Sequence, residues 1–531
     1  MLVIFRNSNV LVDAVFGWFG SAEIENKWYV FVGDTPYEKI RENRKDHESV
    51  IFPDLYKVDI DTGKYQMIAK SNSYSTAWAV SNDGTVIGRA VFDLQGKKQA
   101  IYSGLGNDPP LVAGSLVDRR MTILGLGRSS ESLLLRDTTP GNEVAREVRL
   151  GGPAGGEVLF EHIGGLAPIY DPLTKILIGF TRLPSLTGED GPTAEFSNPI
   201  HQRRFLASAK AFPNLRMHLT SFTSGLGRMV AYTEGAQDLG TYWFIDIAKK
   251  SALPIGDARP WIKPQDLGPV RSVSFKASDG LNLDGILTSP PGGTGKPLAL
   301  IVIPPGTPDA MRRFPTMDLE AQAFASRGYA VFRPNTRGVN GYGEVFSKSA
   351  TGEVGRKLQS DLWDGVTALA AQGLIDPKRV CIVGGGTYAG YAALVGVTVQ
   401  HAKYRCAVSH GGIADPTRFR TRVLEATIDD QRLRRERLSK LGLVEGKNLA
   451  EVSPIKFAAS ADAPILLIHE AEDTIVLVEQ AHAMEQALRH ADKAVEFVTL
   501  PGGKDRLSPE AAHKMAFEAT VAFVEKHNPA N

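Results

Sequence analysis

The chain has 531 residues, more than one hydrophobic core usually organises, so we expect two or three domains. Hydrophobic residues make up 43% and charged residues 22%, as in ordinary soluble globular proteins. The formal net charge is +1 and the basic residues are scattered, which gives no electrostatic reason to expect a nucleic acid or an acidic membrane as a partner. No apolar run reaches the ~18 residues of a membrane-spanning helix. No basic segment precedes the first apolar run, so no signal peptide is visible and the compartment stays unassigned.

The residues up to about 268 are predicted to form short strands separated by turns. Residues 55–64 alternate in polarity and end in a Thr-Gly turn, and residues 228–232 and 242–250 repeat this pattern near the end of the first half. Repeats of this kind are typical of the four-stranded blades of a β-propeller. A β-sandwich would produce the same local pattern, and both architectures stay open at this point.

From residue 270 the pattern changes to strands that alternate with helices. Asp279-Gly280 predicts a hairpin turn, and apolar residues at helical spacing lie within 358–369 and 481–488. A helix over 511–526 closes the chain. Apolar runs that predict strands occupy residues 298–303, 330–332, 380–383, 407–409, 465–468 and 495–500.

This alternation predicts a doubly wound, mostly parallel sheet, in which ligands bind beyond the carboxyl ends of the strands. We therefore expect an all-β domain over residues 1–268 and an α/β domain over residues 269–531. Cys381 and Cys406 each lie inside an apolar strand run, which favours buried free thiols over a disulfide or a reactive site.

Residues 380–394 combine a strand, a glycine-rich tight turn and the start of a helix of small residues. This is the layout of a nucleophile elbow, in which a G-x-S-x-G motif holds a serine on a strained turn. A phosphate-binding glycine loop is the alternative. No lysine follows at Walker spacing and no G-x-G-x-x-G register fits, so we favour the elbow.

Together with residues 334–343, 372–383 and 465–469, the elbow resembles the catalytic domain of the prolyl oligopeptidase family of serine peptidases. That family includes acylaminoacyl-peptidases and dipeptidyl-peptidases. The resemblance implies an α/β-hydrolase fold for the C-terminal half and a β-propeller before it. Seven blades of ~45 residues would need roughly 300 residues. We therefore expect either five to six blades or a sequence that lacks its first blades.

The catalytic triad of that family carries over at one of three positions. The serine position falls at Thr387 when counted from the following Tyr-Ala-Gly-Tyr, and at Gly386 when counted from the strand, because one glycine is extra. The aspartate position is Asp473, four residues after His469. The histidine position, between flanks of unchanged length, is Asp505.

The oxyanion position is assigned to Pro305 and Tyr388. Family members carry His or Tyr in the turn that here contains Pro305, and a proline supplies neither a donor side chain nor an N–H. His410 ends a predicted strand at the same edge of the sheet, so we consider it as a substitute base for Thr387. The resemblance implies no cofactor and no metal.

These substitutions predict a pseudopeptidase, a homologue without catalysis that binds a peptide or a partner protein at most. Loss of Ser or His costs about 10⁶-fold in rate in the unrelated enzyme subtilisin. An aspartate with a pKa of ~3.9 is also a poor base near neutral pH. Two alternatives stay open: an active serine-type peptidase or esterase with rewired residues, and a structural or dimerisation module. The sequence indicates neither a substrate nor an oligomeric state.

Overall fold

The structure is a computed structural model, and it describes residues 17–34, 53–71, 75–93, 97–106, 108–116, 118–139, 142–153, 155–161, 167–181, 193–235, 238–293, 295–426, 438, 443, 448–502 and 509–530.

The chain divides into two compact units. One unit comprises Met1–Pro213, Met217–Ala231 and Trp243–Leu253, and the other comprises Asn214–Arg216, Tyr232–Tyr242 and Pro254–Asn531. The boundary after residue 268 stays a prediction.

The N-terminal half consists of antiparallel strands. The described residues form five sheets in sequential order, which contain β1–β4, β5–β8, β9–β12, β13–β15 and β16–β19. The strands are β1 Trp18–Ile24, β2 Lys27–Asp34, β3 Asp54–Asp59, β4 Tyr65–Ala69, β5 Ser75–Val80, β6 Val86–Asp93, β7 Lys98–Ser103, β8 Val112–Ser115, β9 Arg120–Leu126, β10 Ser132–Thr139, β11 Asn142–Arg149, β12 Glu157–Glu161, β13 Pro168–Tyr170, β14 Leu177–Thr181, β15 Ala194–Phe196, β16 Arg216–Phe222, β17 Arg228–Glu234, β18 Thr241–Asp246 and β19 Ser251–Asp257.

An aspartate-capped turn explains the repeat seen in the sequence. The Asp59 carboxylate accepts the N–H groups of Asp61 and Thr62, both at 2.9 Å, and Gly63 then adopts a positive φ of 69°. Asp246 repeats this turn, with Lys250 at φ 51°. Aspartate caps of this type hold the chain in a tight turn between two strands. The predicted strand segments within 55–64, 228–232 and 242–250 are confirmed as parts of four-stranded antiparallel sheets.

One helix of the N-terminal half was not predicted. Helix α1, Pro199–Ala209, begins after Asn198, whose side chain accepts the N–H of Ile200 at 2.8 Å. An Asn cap followed by proline at the first helical position is a regular start signal. The helix has only two buried side chains, Phe205 and Ser208, so its apolar spacing is weak.

The C-terminal half forms an eight-stranded sheet in the order β20-β21-β23-β22-β24-β25-β26-β27. The first two strands and the β21–β23 pair are antiparallel, and the remaining pairs are parallel. The strands are β20 Val270–Lys276, β21 Asn282–Thr288, β22 Leu298–Val302, β23 Ala330–Asn335, β24 Ile375–Gly385, β25 Cys406–His410, β26 Ile465–Glu470 and β27 Val495–Leu500. The helices are α2 Leu319–Ala325, α3 Glu344–Lys348, α4 Lys357–Ala371, α5 Thr387–Thr398, α6 Pro416–Ala426, α7 Glu479–His490 and α8 Pro509–His527.

Both faces of this sheet are covered by helices, as a doubly wound sheet requires. One face packs against α4, α5 and α7, and the predicted apolar stripe of α4 is wholly buried there. The other face packs against α2 and α8. The hairpin turn at Asp279-Gly280, the alternation of strands and helices and the closing helix are all confirmed. In the described part of the chain, no helix is long and apolar enough to cross a membrane.

The expectation of free thiols was wrong. Cys381 in β24 lies directly opposite Cys406 in β25, with the Cα atoms 4.8 Å apart, and a disulfide joins them. Burial was predicted correctly, because neither residue is exposed to solvent. The error lay in the register of two neighbouring strands, which the local sequence does not contain.

Candidate active site

The elbow connects the central strand β24 to helix α5. Gly386 lies between them at φ 95° and donates its N–H to the carbonyl of His410 at 2.9 Å. Thr387 is the first residue of the helix, and it is not among the described residues with positive φ. Of the two residues predicted at the serine position, Gly386 therefore occupies the turn, and Thr387 lies one residue beyond it.

Close backbone packing fixes the position of the elbow. A Cβ atom added to Gly390, in the first turn of α5, would lie 2.6 Å from the Cα of Gly412. Real Cβ atoms do not approach that closely, so only glycine fits at Gly390 without a backbone shift. Ala389 is buried and is accommodated next to it. The helix thus lies against the chain that follows β25.

The two residues predicted at the oxyanion position lie beside a backbone hydrogen bond. Tyr388 donates its N–H to the carbonyl oxygen of Gly306 at 3.0 Å, in the turn that also contains the buried residue Pro305. The phenol of Tyr388 is buried, and burial raises its pKa well above the usual value. A carbonyl oxygen therefore faces the N–H that would follow a nucleophile at Thr387.

Asp473 lies in the loop after β26 and supports the backbone of that loop. Its Oδ1 atom accepts the N–H groups of Ile475 at 2.7 Å and Val476 at 3.0 Å, and its Oδ2 atom is 3.6 Å from Nε2 of His469. A Cβ atom added to Gly411 would be 3.8 Å from Oδ2 of Asp473. The aspartate position is therefore close to the chain that follows His410.

Asp505, the residue predicted at the histidine position, lies outside the described residues. Strand β27 ends at Leu500, whose carbonyl accepts the N–H of Ala471 at 3.0 Å, and the described chain continues to Gly502. It resumes at Pro509, where α8 begins. The assignment of Asp505 stays a prediction.

His410 faces Glu470, a residue that the sequence analysis did not name. The two side chains are last in neighbouring parallel strands, with Nε2 of His410 3.6 Å from Oε1 of Glu470. Burial lowers the pKa of His410, and the Glu470 carboxylate partly offsets this effect. His410 pairs with Ile468, and strand alternation places Glu470 on the same face as Ile468. That register was the signal needed to find Glu470. We refer to Gly386, Thr387, His410, Glu470 and Asp473 as the elbow site.

Within the described residues, no three His, Cys, Asp or Glu side chains converge as metal ligands would.

Comparison with known proteins then identifies the fold. Residues 315–529 match the prolyl oligopeptidase family. Over these residues the C-terminal part of the chain is similar to this family.

Two bacterial proteins are similar to this chain at 28% identity. The uncharacterized peptidase YuxL of Bacillus subtilis matches over 255 residues, 47% of this chain and 37% of the relative. Dipeptidyl aminopeptidase BIII of Pseudoxanthomonas mexicana matches over 286 residues, 51% of this chain and 40% of the relative. The chain therefore spans about two fifths of the length of the curated relatives it matches.

Solved structures confirm the predicted fold class. A puromycin-hydrolyzing peptidase of Mycobacterium tuberculosis superposes with a TM-score of 0.68 at 17% identity, and covers 97% of this chain and 79% of that chain. A dipeptidyl aminopeptidase IV homologue of Bacteroides ovatus gives a TM-score of 0.61 at 13% identity, over 96% of this chain and 77% of that chain. The prolyl oligopeptidase family fold is an N-terminal β-propeller followed by an α/β-hydrolase domain, and this chain has both. The β-sandwich alternative is excluded.

Proposed function

We propose that the chain is a pseudopeptidase of the prolyl oligopeptidase family, whose elbow site binds peptides without hydrolysing them. The hydrogen bond from the Tyr388 N–H to the Gly306 carbonyl is the observation that carries this proposal. An oxyanion site must present donors to the negative oxygen of the transition state. Here the backbone donor next to Thr387 already has an acceptor, and that acceptor would repel an oxyanion.

The nucleophile position supports the same proposal. Gly386 occupies the turn and has no side chain, and Thr387 has entered the helix. A nucleophile and its base must meet within hydrogen-bond reach. The residue at the family histidine position is Asp505, and a carboxylate of ordinary pKa removes a hydroxyl proton poorly near pH 7. Because triad members act as a unit, the loss of one of them is already enough to remove most of the turnover.

Peptides are the proposed ligand class, because the matched relatives bear the names of peptidases. A puromycin hydrolase mutant that superposes with a TM-score of 0.66 was solved in complex with PGG. An elbow site that keeps the family architecture without its nucleophile would retain a place for such a ligand. A structural or dimerisation module would not bind peptides there.

The test combines labelling, turnover and binding. A fluorophosphonate probe reacts only with an activated hydroxyl, so we expect no labelling of the unmodified protein. We also expect no release from short peptidyl anilides above the level of a Thr387→Ala variant. Short peptides should raise the melting temperature, because a ligand that binds the native state stabilises it by mass action. Peptides that leave the melting temperature unchanged up to millimolar concentration would instead favour a structural module.

The second candidate is an active peptidase or esterase with rewired residues, and the contact between His410 and Glu470 favours it. A carboxylate that orients an imidazole is the arrangement that supports a general base. The labelling experiment separates the two candidates. Labelling that disappears in both Thr387→Ala and His410→Ala, and that weakens in Glu470→Gln, would refute the pseudopeptidase and establish the rewired enzyme.

A further inference from the structure

A cavity whose lining shares no residue with the elbow site lies within the unit that contains Pro254–Asn531. Its volume is about 330 Å³, at the lower end of the range for small-molecule sites. Most of its wall is apolar, with Ile262 and Leu267 from the segment before β20, Leu319 from α2 and Phe517 from α8. It is therefore large enough for a small molecule with an aromatic or aliphatic body, and too small for a folded partner.

The wall of the cavity is held by side-chain hydrogen bonds to the backbone. Gln322 of α2 accepts the N–H of Gly268 at 2.8 Å and donates to the carbonyl of the same glycine at 2.9 Å. This pair joins the segment before β20 to α2, and both groups are buried. Leu319 keeps 49% of its surface exposed at the rim. The cavity is thus preformed and partly open, with apolar surface available to a ligand.

The ionisable groups of the lining are the carboxylates of Asp266 and Glu320 and the imidazole of His513, with no lysine or arginine. In the described residues, neither carboxylate has an ion-pair partner within 4.0 Å. Two nearby cations, Arg313 and Arg333, attract the Glu320 carboxylate through space, but their hydrogen bonds go to other groups. Arg333 pairs with Asp318 at 2.6 Å, and Arg313 donates to main-chain carbonyls at 2.6 and 2.8 Å. Burial raises the pKa of Glu320 to about 7, and the two arginines partly offset this rise.

We propose that this cavity, which we call the α2–α8 cavity, binds a small hydrophobic ammonium compound. The apolar wall takes the hydrocarbon body, and the Glu320 carboxylate takes the ammonium group. A charge-assisted hydrogen bond to a partly desolvated carboxylate is roughly twice as strong as a neutral one. This proposal does not rest on the proposed function of the elbow site.

The test measures the binding of 2-phenylethylammonium and of its neutral analogue 2-phenylethanol to the full chain at pH 8, by isothermal titration calorimetry. We expect the ammonium compound to bind at least tenfold more tightly than the alcohol. Glu320→Gln keeps the shape of the side chain and removes its charge, so it should weaken ammonium binding at least tenfold and leave the alcohol unaffected. Ala323→Leu fills the cavity and should weaken both compounds.

Glu425→Gln is the matched control, because Glu425 is exposed on α6, which packs on the other face of the sheet. It should bind the ammonium compound as the unmodified protein does. Equal affinity for the two compounds, unchanged binding in Glu320→Gln or no binding at all would each overturn the proposal. Circular dichroism of Glu320→Gln checks its fold, and an unfolded Ala323→Leu variant leaves the charge comparison to decide.

Discussion

The disulfide between Cys381 and Cys406 predicts a measurable dependence of stability on redox conditions. The two cysteines are 25 residues apart, so the bond closes a loop that contains α5. The loop-entropy relation gives a stabilisation of about 3.5 kcal/mol for a loop of this length. The unfolding entropy of a domain of this size is ~0.6 kcal/mol per kelvin, so loss of the bond should lower the melting temperature by about 6 °C.

Two measurements check this prediction. Alkylation in denaturant followed by mass spectrometry should find no free thiols without reductant and two free thiols after reduction. Thermal unfolding followed by fluorescence should then give a lower melting temperature for reduced protein than for oxidised protein. The double variant Cys381→Ala with Cys406→Ala is the control, because its melting temperature should not respond to reductant.

Two alkylated thiols in protein that was never reduced would refute the disulfide itself. Equal melting temperatures of the oxidised and reduced forms, once reduction is proven by mass, would refute its stabilising effect. Both sulfur atoms are buried, so a reductant reaches them only when β24 and β25 open. Reduction of the native protein should therefore be slow, and it should accelerate sharply in moderate urea.

Three further predictions follow from packing and charge. Burial lowers the pKa of His410, so its imidazole binds a proton more tightly in the unfolded chain than in the folded one. The free energy of unfolding should therefore fall as the pH drops below about 6.5. His410→Gln should make the urea midpoint less dependent on pH between 5 and 6.5, and an unchanged pH dependence would contradict this. Gly390→Ala should cost about 1–3 kcal/mol in urea unfolding, because its methyl group would meet the Cα of Gly412; a neutral effect would mean that α5 shifts freely. Asp361→Ala should cost about 3–5 kcal/mol, because it removes a buried partner, 2.7 Å away, from the buried Arg337 guanidinium; a melting temperature equal to that of the unmodified protein would refute that estimate.

Much of the C-terminal fold could be predicted because burial on both faces leaves a clear pattern. Strand β26 begins with the continuous apolar run at 465–468, and the stripe of α4 has helical spacing, so each element is encoded locally. The hairpin at Gly280 needs a residue with positive φ, which glycine supplies. In these cases the tertiary environment and the local preference agree.

The missed features depend on relations between segments that are distant in sequence. The disulfide needs the register of β24 against β25, and the contact of His410 with Glu470 needs the register of β25 against β26. Neither register is visible in one strand alone. Helix α1 had a start signal at Asn198 but little apolar spacing, and it lies among strands that made another strand the natural expectation.

At the elbow, the fold and catalysis place different demands on the residues. Gly390 has to be glycine because a side chain would displace the backbone, so the fold itself demands that residue. Nothing in the packing demands a serine at the turn. Gly386 adopts the φ of 95° that the turn requires, and a Cβ atom added to it would lie 3.6 Å from the carbonyl oxygen of Gly306. A nucleophile can therefore be absent while the strand, turn and helix stay in place, because the groups that hold the fold are different from those that perform hydrolysis.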